Sequence, residues 1–413
     1  MAGKFVDVTL RLIDKMTSPL NSAGQALSRQ AQQIKRAGKE IQKAGKQISA
    51  VGGGMTKNFT IPIAGAGVAA IKLASDFESG MSKVSSISGA TGGELDKLSK
   101  KAKEMGAKTK FSATEATDAY QYMAMAGWKT KDMLNGIEPV MKLAGASGEE
   151  LSTTSDILTD SLTAFGKSAK DASKFADVMA AVSSNANTNV SMMGESFKYC
   201  APVAGALGFS MEDTSKAIGL MANSGIKASN AGTALRSWMS RMAAPTDAVQ
   251  SAMKKLGISL TDSKGQMKSF DTIMRETKKA FSGLTEEQKS QYASIIAGKT
   301  GMSGMLAVVN SSDKDFKKLT NAVKESDGAC NRMYKTANDN LNGQLTVLKS
   351  TLESIAISFG EKLTPYVKKA TEWLQKMANK FNGLSSAQKD MIIKVALVAA
   401  AIGSLEFGFA LIL

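Results

Sequence analysis

Histidine is absent from all 413 residues. That excludes Ser-His-Asp and Cys-His nucleophile systems, and with them the His-ligated zinc sites of most metal hydrolases. Cysteine occurs only at Cys200 and Cys330, with no metal or redox spacing. Two reduced core thiols are expected, not a structural disulfide. There are 6 prolines, and aromatic residues make up 6% of the chain. Scarce proline favours long helices, and scarce aromatics leave a core of Ala, Met, Leu and Ile. No apolar run follows the N-terminal Met-Ala-Gly-Lys, so no secretory signal is predicted.

Phosphate-loop chemistry is also excluded by spacing. Val51-Gly52-Gly53-Gly54 lacks a Lys-Ser or Lys-Thr in register and reads as a flexible hinge. Gly298-Lys299-Thr300 resembles the end of a phosphate loop, but Ala293 stands where the motif requires glycine. Gly194-Glu195-Ser196 invites comparison with the Glu-Ser start of the lytic transglycosylase motif. Phe209-Ser210-Met211 stands where that motif continues Leu-Met-Gln, and a single carboxylate without its surrounding motif is weak evidence for acid catalysis. No catalytic, cofactor-binding or metal-binding residue is assigned.

What the chain has in quantity is helix pattern. Val6, Val8, Leu10 and Leu12 alternate with polar residues and predict one short strand. Leu20, Leu27, Ile34, Ile41 and Ile48 then recur every seven residues, the repeat of a coiled-coil seam. This front part is basic: eleven lysines and arginines precede Leu73, against Asp7, Asp14 and Glu40. Such a face suits nucleic acid, lipid headgroups or an acidic protein.

Between 73 and 310 short amphipathic helices follow one another, each with an i, i+3, i+4, i+7 stripe. Ser112-x-x-Glu115 and Ser147-x-x-Glu150 read as capping boxes, and Ser210 as a further cap. Ala116, Ala119, Tyr120 and Met123 form one inward face. Phe175, Val178, Met179 and Val182 form another. Asp262-Ser263-Lys264-Gly265 predicts a small β-hairpin.

Leu341, Leu345, Leu348, Leu352, Ile355 and Phe359 form a second a/d seam, predicted to stop at Gly360. Thr364-Pro365 is then expected to start a new helix, with Tyr366, Trp373 and Met377 inward. Ser385-x-x-Gln388 caps a last, apolar helix. Its 395–413 stretch approaches a membrane span but contains Glu406. The chain stops in mid-helix, and it is expected to be the front part of a longer one.

The predicted fold is mostly α. A multi-helix globular module at 73–310 follows a basic strand, coil and hinge at 1–72. Heptad-patterned helices at 311–384 and a hydrophobic helix at 385–413 come after it.

The motifs also form an ordered set. Phe77 lies in Ala74-Ser-Asp-Phe-Glu-Ser-Gly-Met81, and Phe111 opens Phe-Ser-Ala-Thr-Glu-Ala116. Gly127 follows in Met125-Ala-Gly-Trp128, and Phe165 in Leu162-Thr-Ala-Phe-Gly166. The most specific block is Ala231-Gly232-Thr233-Ala234-Leu235-Arg236, followed by Pro245. The set resembles the conserved N-terminal region of phage tail tape measure proteins. The match departs at Ala297-Gly298, where the family often has Phe before the glycine, and at Ser404, where it tends to have proline.

The resemblance implies a structural, non-enzymatic protein lying in the tail tube lumen, made in the host cytoplasm and released at genome ejection. Its implied partners are further copies of itself, tail tube proteins and tail assembly chaperones. The host inner membrane is a further one through 395–413, and DNA another through non-specific contact. A membrane-anchored helical protein is the alternative from another class, and a tail-associated lytic transglycosylase a third. Fully helical, 413 residues would reach at most about 600 Å.

Overall fold

The computed structural model describes residues 63–386, which are mostly helical. In chain order the helices are α1 Ile63–Ser88, α2 Gly93–Lys108, α3 Ala113–Met125, α4 Thr130–Ser147, α5 Leu151–Ala164 and α6 Ala172–Ser183. They continue as α7 Val190–Ala206, α8 Met211–Asn223, α9 Ala228–Ala243, α10 Asp247–Leu256, α11 Phe270–Phe281 and α12 Glu286–Val309. α13 Asp313–Lys324, α14 Ala329–Asn338 and the long α15 Leu341–Asn382 complete the set. The strand expected at Val6–Leu12, the seam from Leu20 to Ile48, the hinge at 51–54 and the apolar helix at 395–413 lie outside the described residues. So does Gln388 of the Ser385-x-x-Gln388 box.

Local chemistry explains where the helices start and stop. At Ser112 the capping box is complete: Glu115 N donates to Ser112 Oγ at 3.1 Å, and Ser112 N donates to Glu115 Oε2 at 2.7 Å. Ser210 Oγ accepts from Asp213 N at 3.1 Å. α3 ends at Gly127, whose φ of 83° is open to glycine at little cost. Trp128 N then reaches back to Met123 O at 3.0 Å, closing a Schellman motif. The same six-to-one bond recurs from Lys167 to Leu162, Phe209 to Ala204, Ile226 to Met221 and Ile258 to Met253. Two of the sequence motifs, Gly127-Trp128 and Phe165-Gly166, are therefore helix stops, as are Gly225-Ile226 and Gly257-Ile258.

Three local expectations are corrected. Ser147 is the last residue of α4, and its hydroxyl donates to Leu143 O at 2.8 Å instead of capping α5. Glu150 occupies the N-cap of α5 with no side-chain cap bond. The hairpin reduces to one antiparallel bridge, Thr261 to Met267, and no strand forms among the described residues. Asp262 Oδ1 accepts from Lys264 N and Gln266 N. The surrounding residues are exposed, so no apolar face holds longer strands together. Finally, Pro365 does not begin a new helix: α15 runs through it. Thr364 Oγ1 donates to Gly360 O at 3.1 Å. Tyr366 is 55% exposed, not inward. The side chains of Trp373 and Met377 lie outside those described.

The chain divides into two compact units. One is Asp76–Ile357, and the other joins the segments before and after it. In the second, α1 meets α15 closely: a Cβ on Gly360 would overlap Ala70 O.

The larger unit buries the predicted stripes. Tyr120, Met123, Phe175, Val178, Met179 and Val182 are all fully buried. Its aromatics form two small clusters. Phe197 packs edge-on to Phe165 and against Phe175, while Phe270 packs against Phe209 and Trp238. Cys200 and Cys330 are free and buried, as expected. Burial pushes both thiols up to about 12, which leaves them unreactive at neutral pH.

One buried carboxylate ties distant parts of the sequence together. Asp177 on α6 accepts from Gly328 N at 3.0 Å and Cys330 N at 2.9 Å, so it caps α14 from 150 residues upstream. A negative charge at a helix N-terminus is favourable both as acceptor and against the helix dipole. Asp177→Ala should cost about 2 kcal/mol and speed amide exchange across Ala329–Asn338 first. Unchanged exchange there would show that α14 is held by packing alone.

Candidate functional site

The block from Gly225 to Pro245 sits where three helices meet. α9 packs against α7 on one side and α12 on the other. α7 and α9 run in the same direction. Gly232 faces Ser196, and a Cβ at 232 would overlap the Ser196 carbonyl oxygen. One turn further along, Arg236 lies exposed over the Tyr199 ring, 5.8 Å from its centroid. Ala231, Leu235, Trp238 and Met239 are fully buried between the neighbours. Pro245 is exposed just beyond the end of α9.

Ser196 is committed to this contact. Its hydroxyl lies 2.8 Å from Ala228 O and 3.0 Å from Met192 O. Ala228 is the one non-glycine residue with positive φ, 50°, among the described residues. The side-chain bond to its carbonyl helps hold that strained start of α9.

α12 runs antiparallel to α9 and breaks at Gly298, whose φ of 75° and ψ of 168° are available essentially to glycine alone. The break frees carbonyls, and α9 satisfies them. Ser237 Oγ donates to Ala297 O at 2.7 Å, and Arg241 Nη2 to Ile295 O at 3.0 Å. A Cβ on Gly301 or Gly304 would press on the α9 backbone or Ala234. Gly298-Lys299-Thr300 is thus a helix break and not a phosphate loop. α12 is also, among the described residues, the one helix long and apolar enough to cross a membrane by length and composition. Half of that window is buried inside the protein.

A second polar centre was not visible in the sequence. Lys216 on α8 is 2% exposed at its side chain and pairs with Asp271 of α11 at 2.5 Å. Its ammonium lies 3.4 Å from the centroid of Phe316 on α13. Arg275 holds the other Asp271 oxygen at 2.8 Å, and Asp271 N donates to Asp213. Burial lowers the Lys216 pKa, and the hydrogen bond to Asp271 pulls it back up. Burial raises the Asp213 pKa. This network fastens α8, α11 and α13 to one another. Its only sequence signal is a lysine inside an otherwise inward stripe.

Glu195 sits half-buried, 3.8 Å from Lys198, while its neighbour Ser196 is spent on helix packing. Among the described residues no three His, Cys, Asp or Glu side chains converge as metal ligands.

α15 carries two stripes on opposite sides. Gly343, Ser350, Ser354 and Ile357 are buried. Ser350, Thr351 and Ser354 donate to the carbonyls of Lys110, Ala107 and Lys103 at 2.9, 3.0 and 2.9 Å. They fasten α15 along the last two turns of α2 and the residues just after it; of the three carbonyls only that of Ala107 lies in the last turn, where helical partners are missing. The a/d positions point the other way. Leu341 is 73% exposed, Leu345 37% and Ile355 54%, with Leu348 and Leu352 half-buried. Phe359, in the second unit, is also exposed. Of the family-motif residues, Phe77, Phe111 and Phe165 are buried, and Gly127 ends α3.

Residues 99–298, which contain α9 and most of α7 to α12, match the family of phage-related minor tail proteins. The tape measure protein of Pneumococcus phage Dp-1 is 37% identical over 355 residues, covering 86% of this chain and 31% of that protein. The chain belongs to the phage tail tape measure family. A probable tape measure protein of Escherichia phage P2 is 28% identical over 310 residues, covering 74% of this chain and 38% of its own length. This tape measure chain therefore spans about a third of the length of these relatives. No solved structure matches it.

The packing makes a sharp contrast testable. Gly232→Ala forces a methyl group into a backbone carbonyl and should destabilise the protein by about 2–3 kcal/mol or more. Gly93→Ala, where a Cβ meets nothing, should be neutral or stabilising by up to about 1 kcal/mol. Urea midpoints of the two variants check this, and equal midpoints would contradict the close-contact reading.

Proposed function

We propose that this chain acts as the front part of a tape measure: it lies along the lumen of the growing tail tube, contributes to tail length, and leaves ahead of the genome at ejection. The observation that best supports this is α15. A helix of 42 residues extends about 63 Å at 1.5 Å per residue, and from Leu341 to Phe359 its a/d positions form an apolar stripe on the outward side. A narrow tube suits such helices better than a globular enzyme. The role is non-catalytic, consistent with the spent Ser196 and the isolated Glu195.

Partners follow from the same reading. Copies of the chain associate through heptad helices, and tail tube proteins and tail assembly chaperones meet it during assembly in the host cytoplasm. The basic front gives it non-specific affinity for DNA or acidic surfaces. The 395–413 stretch is the candidate for contact with the host inner membrane at ejection.

The expected outcome of gene surgery separates ruler from module. In-frame deletions in the extended helical part of the parent gene should shorten tails in proportion to the residues removed, measured by electron microscopy. Deletions inside 73–310 should abolish tail assembly, because they break a packed unit. Tails of unchanged length after the first kind of deletion would overturn the proposal.

A further inference from the structure

We infer that residues 328–357, α14 with the first part of α15, form a strap that detaches from the larger unit as one piece while the rest of that unit stays folded. The release is a property of the folded chain and does not depend on the ruler role proposed above.

What holds the strap is mainly polar. Among residues 326–357 only Cys330 and Ile357 are buried apolar side chains, whereas α13, just upstream, buries Phe316, Leu319 and Val323. The Tyr334 ring lies on Gly145, where a Cβ would overlap it. Beyond that, the attachment is a row of hydrogen bonds between side chains and backbone. Asp177 accepts from Gly328 N and Cys330 N. Lys110 N donates to the Tyr334 hydroxyl at 3.2 Å, and Asn338 Nδ2 to Gly145 O at 3.2 Å. Ser350, Thr351 and Ser354 complete the row along the end of α2. Water can replace each of these partners, so each bond contributes little net. Buried apolar side chains have no such replacement.

The joints suit release. The strap begins at Gly328, whose φ of 72° makes the turn between α13 and α14. Arg332 ties back across that turn to Asp327 O at 2.8 Å, a bond that release leaves intact. α13 itself is anchored, with Leu319 on Gly219 and Phe316 beneath the Lys216 ammonium, so opening stops there. Midway, an open cleft of about 500 Å³ lies between the α14–α15 joint and the module, and Lys110, Gly145 and Asn338 line it. Solvent therefore already stands beside the row, and lifting the strap floods no dry interface at that point. Release turns a segment folded back antiparallel to α2 into free chain that can extend.

The two native thiols report the release. Cys330 lies in the strap and Cys200 in α7, and both are buried. In the native 413-residue chain an aromatic disulfide reagent should label Cys330 at least about a hundredfold faster than Cys200, because the strap opens below the free energy of global unfolding. Peptide mass spectrometry assigns the sites. Ser350→Ala with Ser354→Ala, both on α15, should speed Cys330 labelling at least about fivefold and leave Cys200 unchanged. That coupling separates release in one piece from fraying of α14 alone. Thr351→Val removes one bond of the same row at nearly constant shape and should speed Cys330 at least about twofold, which decides the matter if the double variant also speeds Cys200. Equal labelling rates for the two thiols in the native chain would overturn the inference. So would a fast Cys330 whose rate ignores the α15 variants.

Discussion

Close approach of helix backbones is the constraint on which the larger unit depends. With few aromatics to span gaps, the chain brings its helices together by removing side chains where they cross. Gly232 lies against the Ser196 carbonyl, Gly205 against the Ala164 carbonyl, and Gly301 and Gly304 against α9. Dispersion contacts and small-residue burial then replace the large apolar side chains used elsewhere. Polar groups released by this architecture are satisfied locally. Arg241 and Ser237 answer the carbonyls freed at Gly298, and Asp177 answers the start of α14. The family block around Ala231 to Arg236 carries the crossing residues.

Around α9 the Ser237 hydroxyl and the Arg241 guanidinium bond carbonyls of α12, and Lys216 is locked between α8, α11 and α13. Among the described residues the outer side of α15 carries several of the exposed large apolar side chains, Leu341, Leu345 and Ile355 among them.

Much of this was legible in the sequence. The helical stripes of α3, α6 and α9 were readable because burial follows the 3.6-residue period, and the caps at Ser112 and Ser210 because their chemistry is local. The glycine-containing motifs could be recognised, but their role as Schellman stops depends on backbone dihedrals that composition does not reveal. Heptad spacing located the α15 seam. It did not reveal that Gly343, Ser350, Ser354 and Ile357 form a second stripe with the same 3–4 rhythm, the one the module uses. Pro365 read as a helix start because proline lacks a donor. In the folded chain α15 continues, and the Thr364 hydroxyl bonds the Gly360 carbonyl. Lys216, Asp177 and Arg241 escaped notice because their partners lie about 55, 150 and 55 residues away.

Native-state hydrogen exchange on the 413-residue chain tests the central claim most directly. If close backbone contact at Gly232, Gly301 and Gly304 holds the unit together, amides in α7, α9 and α12 should share one highest opening free energy and exchange only by global unfolding. The outer part of α15 should open separately and at lower free energy. Exchange of α9 through a low-energy local opening, while α7 and α12 stay protected, would contradict the account.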